Sequence, residues 1–448
     1  MPPITMGLAA RPVDAASDEP TKKTEIGDLP ESWQVVRLGE VAQELRSGIT
    51  PKGGQKVYLK TGIPLIRSQN VLTNRLSLRD VAFISPDEHR SMIGSAVQPG
   101  DVLLNITGAS IGRVTVVPDD VKVANVNQHV CRIRLARSAD PLFLSYYLST
   151  AQGQSQVMGS QFGSTRQGLN YGNVRAIRIP LPRIEEQRAI ARVIETVQRT
   201  REARQRELSL ERERKAALME YLFTHGTRGE DSKQTEIGEI PESWQAVPLR
   251  TVCKSSAFGP RFGAELYNPK GNVAVLRTTD LDDEGNIDYG TVPFAQVELE
   301  KFKSHLLEPG DFLVSRSGTC GIASVFQGHS KNVLPGAFLI RFRLASELSP
   351  EFLRHYINSA TGRHRVQKIA SGAIQQNITS TSLLNFCIPL PPVPQQESVN
   401  LVAAGCHKKI LGLERELQLI NELFGAMLNG LMTGRLSAMP LTKEHQAQ

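Results

Sequence analysis

Six short polar segments of this sequence carry side chains that are suited to recognising another molecule. They are SGITPKGG, RSQN and GSTRQGLN in the first half of the chain, and FGPRFG, RTTD and GAIQQN in the second half. Their arginine, lysine, asparagine and glutamine side chains can each form several hydrogen bonds. Groups of this kind bind phosphates and the polar edges of planar rings. The chemistry that these segments indicate is therefore binding rather than the making or breaking of covalent bonds.

Sequence motifs for catalysis are missing. There is no GxxxxGK loop for nucleotide phosphates, no GxGxxG element after a strand, and no HExxH pair among the nine histidines. GASIG (Gly108–Gly112) has the counterpart GTCGIA later in the chain, and we expect both to form turns next to strands. PDDVK (Pro118–Lys122) contains the acid-x-Lys pattern of some nucleases, but the second half has no counterpart, and we expect a solvated turn. We therefore expect no catalytic residue in this chain.

The cysteines suggest neither a metal site nor a disulfide framework. All five are scattered along the chain, and no two form a CxxC pair. We expect reduced, buried thiols, no bound metal and a cytoplasmic protein.

The composition is that of a globular protein with a basic bias. Of 448 residues, 40% are hydrophobic, and the formal net charge is +7. The length predicts two or three domains, and the charge permits an acidic polymer as partner. Residues 23–182 contain 18 Lys and Arg against 12 Asp and Glu, whereas residues 235–391 contain 15 of each. The first 22 residues lack the apolar core of a signal peptide, and the long uncharged stretch Ser371–Gln396 is too polar to cross a membrane, so we expect no membrane association.

A duplication organises most of the sequence. The decapeptide TEIGDLPESW (Thr24–Trp33) returns as TEIGEIPESW (Thr235–Trp244), and these segments contain the only two tryptophans. PGDVLLNITGASIG returns as PGDFLVSRSGTCGI, and IPLPRIEEQ returns as IPLPPVPQQ, in the same order. The segments between these blocks diverge. The pattern predicts two copies of one scaffold that carry two different surfaces.

Each copy is predicted to be a mixed α/β domain. Short apolar runs such as Val102–Leu104 and Val130–Leu135, bounded by Gly, Asp and Pro, are typical of strands. The PGD before such a run predicts a tight turn that enters a strand. Pro141–Gln156 and Pro350–Val366 begin with proline and have helical spacing, so each is expected to be helical.

A long helix is predicted to follow each copy. Ile184–His225 contains no glycine or proline, and the acidic residues in its first turn suit the positive end of the helix dipole. After Pro394, apolar residues from Val399 to Leu431 recur in steps of three and four, as in a coiled coil. Glycines weaken this second helix, so it needs a partner. We expect the two helices to pair with each other; the alternative is that each packs only on its own domain.

The order of these features resembles the specificity subunit of type I restriction–modification systems. GLNYGNVRAIRIPLPRIEEQRAIARVIE (Gly168–Glu195) and the pattern across Glu31–Pro51 carry the resemblance, which extends from about Thr24 to Leu436. The family implies two target-recognition domains that each read one half of a split DNA site. It implies that an antiparallel coiled coil spaces these domains and docks two DNA methyltransferase subunits, onto which restriction (translocase) subunits assemble. S-adenosylmethionine, ATP and magnesium would belong to those partners, and this chain would be non-catalytic.

Repeat and resemblance together predict a mixed α/β fold with pseudo-two-fold organisation and six segments. These are a disordered extension at 1–22, target-recognition domain 1 at 23–182, spacer helix 1 at 183–226, target-recognition domain 2 at 227–391, spacer helix 2 at 392–436 and a flexible tail at 437–448.

Candidate contacts to double-stranded DNA come from the polar segments outside the repeated blocks. Lys and Arg bind phosphates, while Arg, Asn, Gln and Thr also read base edges. Both tryptophans belong to the repeated frame and are expected to be packing anchors. The DNA candidates are Lys52, Arg67, Gln69, Asn70, Arg166 and Gln167 in the first copy, and Arg261, Arg277, Thr278, Gln375 and Gln376 in the second. The candidate subunit-docking residues are Glu185, Glu186, Gln187, Gln395 and Gln396.

The second copy departs from the family pattern, and two other functions stay open. It has PLRTV where the first copy has RLGEV, and it lacks counterparts of Arg175, Arg178 and the acidic pair, so we expect asymmetric docking. The first alternative is a repeat-built scaffold that binds proteins and does not read DNA. The second is a self-sufficient nuclease, for which the sequence offers no metal–carboxylate motif. Specific, salt-sensitive DNA binding with the methyltransferase distinguishes them.

Overall fold

The computed structural model describes residues 19–159, 168–370 and 377–438. The chain divides into two compact units, Met1–Ala203 with Leu417–Gln448, and Arg204–Glu416. We call them unit 1 and unit 2. The boundary falls within both long helices, so each unit contains one copy of the repeated scaffold and part of each helix.

Unit 1 contains two four-stranded sheets. One is antiparallel, in the order β11-β10-β13-β4, and the other is mixed, in the order β8-β5-β12-β9, with β12 parallel to β5. The pairs β1–β2, β6–β7 and β3–β14 complete the strands. The strands are β1 (Thr21–Thr24), β2 (Gly27–Pro30), β3 (Gln34–Arg37), β4 (Ala42–Ser47), β5 (Ile63–Ile66), β6 (Val71–Leu72), β7 (Arg75–Leu76), β8 (Ala82–Ile84), β9 (Ala96–Val97), β10 (Val102–Asn105), β11 (Val114–Val116), β12 (Ala124–Val126), β13 (Val130–Leu135) and β14 (Arg178–Leu181). The helices are α1 (Leu38–Val41), α2 (Pro86–Ser91), α3 (Pro141–Ser149), α4 (Ala151–Gly159), α5 (Tyr171–Ala176) and the start of α6 (Ile184–His225).

Unit 2 repeats this arrangement with a smaller second sheet. Its antiparallel sheet has the order β18-β24-β21-β22, and its mixed sheet has the order β20-β19-β23, with β23 parallel to β19. The strands are β15 (Ser232–Thr235), β16 (Gly238–Pro241), β17 (Gln245–Pro248), β18 (Cys253–Phe258), β19 (Val273–Leu276), β20 (Phe294–Ala295), β21 (Phe312–Ser315), β22 (Ala323–Val325), β23 (Asn332–Pro335), β24 (Leu339–Leu344) and β25 (Cys387–Leu390). The helices are α7 (Leu299–Phe302), α8 (Pro350–Asn358), α9 (Ala360–Ile369), α10 (Ser380–Leu384) and the start of α11 (Val393–Met432).

The repeated PGD turn enters a central strand of the antiparallel sheet in each unit. Its glycine has a positive φ in both copies, a conformation that only glycine adopts without strain. Its aspartate is buried and pairs with an arginine of the neighbouring strand. Asp101 lies 2.8 Å from Arg134, and Asp311 lies 3.1 Å from Arg343. The turn therefore joins two strands through side chains as well as through the backbone ladder.

The segments Pro141–Gln156 and Pro350–Val366 are helical, as expected, and each forms two helices rather than one. The Oγ of Thr150 accepts the backbone N–H of Gly153 at 3.1 Å, so a new helix begins there. Ser359 caps α9 in the same way. The sequence signal is a capping hydroxyl inside an otherwise periodic segment.

The two long helices pair with each other inside each unit, and the pairing is antiparallel. In unit 1, the guanidinium of Arg201 lies 4.4 Å from the ring centre of Phe424. In unit 2, Arg212 lies 2.6 Å from Glu414 and Lys409 lies 2.8 Å from Glu211. The expected pairing is confirmed within each unit, and the helices also pack on the domain cores.

Each core has a fully buried tryptophan at its centre. Trp33 contacts the ring of Phe143 edge-on, and Trp244 contacts Phe352 in the same geometry. The expectation that both tryptophans are packing anchors is confirmed.

Two expected segment boundaries are corrected. Thr21 and Lys22, assigned to the extension, belong to β1, where they pair with β2. Ala438, assigned to the flexible tail, is buried in the core of unit 1. Residues 1–18 and 439–448 of these terminal segments lie outside the described residues.

Candidate nucleic-acid interface

The polar segments of each copy are brought together by backbone hydrogen bonds at the ends of neighbouring strands. In unit 1, the N–H of Ile49 donates to Val126, and the N–H of Asn127 donates to Ile66, at 3.2 and 3.0 Å. The N–H of Leu169 donates to the carbonyl of Ile106 at 2.8 Å. We call the resulting surface loop face 1; it consists of residues 47–52, 66–70, 105–107, 126–130 and 168–169.

Unit 2 assembles the equivalent surface with the same backbone pattern. The N–H of Gly336 donates to Leu276 at 2.7 Å, and the N–H of Gly259 donates to Leu339 at 3.1 Å. The N–H of Ile378 donates to the carbonyl of Arg316 at 3.0 Å. We call this surface loop face 2; it consists of residues 258–263, 276–280, 315–317, 335–339 and 377–378.

Several predicted DNA contacts are exposed on these faces. Lys52 and Gln69 are exposed on loop face 1, and Arg261 is exposed on loop face 2. Thr278 is partly buried in the turn after β19. Residues that are distant in sequence thus share one surface in each unit, which is what a recognition site requires.

Four predicted contacts lie outside the described residues. These are Arg166 and Gln167, and Gln375 and Gln376. The residues that follow them are described and occupy equivalent positions. Gly168 forms an isolated bridge with Thr107, and Asn377 forms one with Ser317.

The turn after the central strand of the mixed sheet has the same construction in both units. The side chain of Asn70 accepts the N–H of Arg67 at 3.0 Å and donates to the carbonyl of Ser77 at 3.0 Å. Asp280 accepts the N–H of Arg277 at 2.7 Å in the same position. Both side chains are 1% exposed. The assignment of Asn70 as a base-reading residue is therefore corrected, because its polar atoms are buried and already bonded inside the turn.

The two arginines that begin these turns are partly used inside the fold. Arg67 donates to the carbonyl of Asp80 at 3.1 Å. Arg277 forms a two-point ion pair with Asp280, at 2.7 and 3.2 Å, and this contact raises the pKa of the Arg277 guanidinium further. Their first role is to hold the turn, which leaves the residues at its tip to face outward.

The sequence analysis missed several polar and aromatic residues of both faces. On loop face 1, the side chains of His129 and Thr107 form a hydrogen bond, and so do those of Gln128 and Thr50. On loop face 2, the guanidinium of Arg316 lies over the exposed ring of Phe258, and the carbonyl of Phe338, which is also exposed, accepts the backbone N–H of Arg316. Thr107 and Arg316 lie in a repeated block that was assigned to the scaffold, whereas Phe258 belongs to the FGPRFG segment, from which only Arg261 was selected. A side-by-side comparison of the blocks, for example NITG against SRSG, contains the signal for Arg316.

The predicted docking residues mostly serve to attach the long helices to their domains. Gln187 accepts the N–H of Asp140 at 2.8 Å and donates to two backbone carbonyls. Gln396 repeats this pattern, with the N–H of Ser349 at 2.7 Å. Both glutamines are buried. The docking assignment is corrected for both, because a buried, fully bonded side chain cannot contact a partner.

The residue before each of these glutamines binds the buried tryptophan. The indole N–H of Trp33 donates to Glu186 at 3.1 Å, and that of Trp244 donates to Gln395 at 2.7 Å. Burial raises the pKa of the Glu186 carboxyl. Gln395 is buried as well, so its docking assignment is also corrected. Glu186 is half-buried, and Glu185 is the only one of the five docking candidates that is exposed. The repeated decapeptide thus ends in an anchor for the first turn of a long helix.

The cysteines are free, as expected, but only Cys131 and Cys406 are buried. Burial raises the pKa of the Cys131 thiol to about 12. Within the described ranges, no group of three or more His, Cys, Asp or Glu side chains is arranged to hold a metal ion. In the same ranges, no helix is both long and apolar enough to span a membrane.

Comparison with known proteins identifies relatives of both sequence and fold. Residues 30–212 and 241–401 match the family described as the type I restriction modification DNA specificity domain. The type I restriction enzyme MjaVIII specificity subunit of Methanocaldococcus jannaschii is 24% identical over 417 residues, which is 91% of this chain and 94% of that protein.

Two solved structures share the fold. The S subunit of a type I restriction–modification system from M. genitalium has a TM-score of 0.56 at 13% identity, covering 89% of this chain and 96% of its own. A chain from a study of complex assembly and conformational transition of the type I R-M system has a TM-score of 0.54 at 20% identity, covering 91% and 99%.

Proposed function

This chain belongs to the type I restriction–modification DNA specificity family, and we propose that loop face 1 and loop face 2 each read one half of a split DNA site. The chain recognises DNA sequence as a specificity subunit. The observation that supports the finer proposal is the equivalent construction of the two faces, which carry different side chains. One scaffold used twice with two surfaces suits a site whose halves differ in sequence.

The faces supply the two kinds of group that DNA recognition needs. Exposed Lys52 and Arg261 suit phosphate contacts, which position the protein without reading sequence. Exposed Gln69, together with the predicted residues beside Gly168 and Asn377, suits base edges. Asn70 has no place in this proposal, because it is buried.

The long helices are proposed to set the spacing between the half-sites and to dock two DNA methyltransferase subunits, onto which restriction subunits assemble. Exposed apolar side chains on both helices support a docking role where they are neighbours, as Leu419 and Leu423 are one turn apart on α11, because contiguous apolar surface marks an interaction site. These side chains include Leu210 and Tyr221 on α6, and Leu401, Leu411, Leu419 and Leu423 on α11. Glu185, which is exposed in the first turn of α6, keeps its proposed docking role.

Chemistry is proposed to reside in the partners. They would bring S-adenosylmethionine, ATP and magnesium, while this chain supplies recognition and no catalytic group, acting in the cytoplasm where the DNA is. The family assignment and two-domain arrangement support DNA reading over the scaffold alternative.

Exchange of the divergent blocks tests the two-face proposal. Residues 45–170, or 255–377, are replaced by the corresponding block of a related chain, and the complex is assembled with its methyltransferase. We expect the methylated sequence, mapped across a genome, to change in one half only, with the other half and the spacer retained. A change in both halves, or in neither half by a chimera that folds and assembles, would show that the faces are not independent readers.

A further inference from the structure

Arg316 lies on loop face 2 with a guanidinium that the fold has oriented. Its Cζ lies 4.7 Å from the ring centre of Phe258, and its Nε donates to the Oδ1 of Asn377 at 3.2 Å. Its backbone N–H donates to the carbonyl of Phe338 at 2.9 Å, and its own carbonyl accepts the backbone N–H of Ile378 at 3.0 Å. Both the backbone and the head group are therefore fixed before any ligand binds.

The unused part of this guanidinium is the part that recognises forked acceptors. Among the described residues, Nη1 and Nη2 of Arg316 have no hydrogen-bond partner, whereas Nε is bonded to Asn377. The two terminal nitrogens present parallel N–H donors in one plane. In the major groove of DNA, the O6 and N7 acceptors of guanine match that pair of donors.

The neighbourhood favours a base edge over a phosphate. Phe258, over whose ring the guanidinium lies, is 40% exposed, so one side of the guanidinium has apolar surface. A phosphate bound there would lose hydration against this ring, and a charged group without water is costly. A neutral, planar base edge loses less, because its acceptors are uncharged and the guanidinium replaces their hydrogen bonds to water. The stacking and the Nε bond also reduce the side-chain entropy that is lost on binding.

We infer that Arg316 reads a guanine in the half-site contacted by loop face 2, and that Phe258 and Asn377 are its positioning residues. The inference rests on the proposed function of this face. This position supplies a guanine contact in unit 2 and not in unit 1, because its equivalent in unit 1 is Ile106, which is apolar and buried. The repeated scaffold thus places a base-reading cation in one unit and a core residue in the other.

The test uses the complete chain assembled with its methyltransferase, and duplexes built on the mapped methylation site. We expect Arg316→Ala to lose discrimination at one guanine of one half-site by roughly ten- to a hundredfold. Replacing that guanine by 7-deazaguanine, which lacks the N7 acceptor, should weaken wild-type binding and leave the binding of Arg316→Ala unchanged.

Three further variants separate reading from charge and from stability. Arg316→Lys keeps the positive charge but lacks the fork, so it should retain most of the total affinity and lose the guanine preference. Phe258→Leu keeps apolar packing but removes the stacking ring, and should lose part of the preference.

Arg250→Ala is the matched control. Arg250 also donates to an asparagine, Asn385 at 2.7 Å, but it precedes β18, whereas Phe258 ends that strand. Arg250→Ala should change nothing.

Other outcomes overturn the inference. If Arg316→Ala weakens all sequences equally and lowers the salt dependence, the residue is a phosphate contact. If the unit 2 half-site contains no guanine on either strand, or if 7-deazaguanine has no effect at any position, Arg316 does not read guanine. Failure of the proposed function looks different, because exchange of residues 255–377 would then leave both half-sites unchanged.

Discussion

The two units share a scaffold but differ in the groups that bond an equivalent buried arginine. In unit 1, the buried Arg132 forms an ion pair with Glu44 at 2.6 Å. In unit 2, the equivalent Arg341 donates to backbone carbonyls, that of Ser304 at 2.8 Å among them, and Ser255 stands where unit 1 has Glu44. The backbone geometry survives this exchange because a guanidinium can be satisfied by carbonyls as well as by a carboxylate. What is common to both units is therefore a pattern of hydrogen bonds more than a set of residues.

The first lesson is that duplicated framing blocks encode attachment rather than recognition. Three residues occupy the same places in both units. They are the tryptophan, the residue that accepts a hydrogen bond from its indole N–H, and the glutamine that follows that residue. The residues on the loop faces differ at most positions, from Ile106 against Arg316 to His129 against Phe338. Each unit has kept what holds a long helix and has changed what faces outward.

The largest expected effect concerns the buried aspartate of the PGD turn. Asp101→Ala and Asp311→Ala each remove the acceptor of an arginine, and we expect a loss of about 3 kcal/mol in the free energy of unfolding. Asp311→Ala should cost more, because Arg134 keeps the less exposed carboxylate of Glu44 at 3.3 Å, whereas Arg343 keeps the largely exposed Glu308 and one backbone carbonyl, that of Leu306. Denaturant unfolding with hydrogen exchange resolved by unit measures both.

Asparagine at the same positions is the matched control. It preserves an acceptor for the backbone N–H of the turn and should recover part of the loss. Equal effects of alanine in the two units would show that Glu44 does not compensate for Asp101.

The second prediction concerns the unequal charge of the two copies. Lys52→Ala should weaken binding of the complex to every DNA sequence and reduce the slope of log affinity against log salt by about one, if Lys52 meets a phosphate. Lys23, also exposed but located in the β1–β2 hairpin, is the control, and Lys23→Ala should leave the slope unchanged. An effect of Lys23→Ala equal to that of Lys52→Ala would mean that general charge, not loop face 1, determines affinity.

The smallest expected effect concerns the residue that accepts the indole N–H of each tryptophan. It is the ionisable Glu186 in unit 1 and the neutral Gln395 in unit 2. Burial raises the pKa of Glu186, so the carboxylate is less stable in the folded protein than in the unfolded chain. The raised pKa therefore stabilises the folded protein at pH values below the ordinary pKa of 4.5. This stabilisation is lost as the pH rises through the raised pKa of the folded protein. Glu186→Gln, which copies unit 2, should therefore stabilise unit 1 at pH 7.5, by less than about 1 kcal/mol. The gain should vanish near pH 4.

The reciprocal variant sharpens the comparison. Gln395→Glu should destabilise unit 2 at pH 7.5 and have little effect near pH 4, as followed by thermal unfolding across that range. A gain from Glu186→Gln that does not depend on pH would show that packing, and not ionisation, distinguishes the two anchors.

Much of the architecture was predictable because its signals are periodic or repeated. The duplication gave two equivalent domains, and the heptad spacing from Val399 to Leu431 gave a helix that needs a partner. The break at Thr150 was not predicted, because a single hydroxyl that caps a helix is a weaker signal than apolar periodicity over sixteen residues. The candidate faces were predicted as segments more successfully than as residues.

The sequence by itself determined the two-copy organisation, the strand and helix classes, the tryptophan anchors and the absence of familiar catalytic motifs. These follow from pattern, which depends on residue type and spacing alone. Only the tertiary structure decided which polar side chain faces solvent. Asn70 and Gln187 look like binding residues in the sequence, yet each is buried, since turns and helix starts must satisfy their backbone groups with nearby amides. Arg316 looks like part of a scaffold block, yet strand ends that are distant in sequence place its guanidinium over the exposed ring of Phe258.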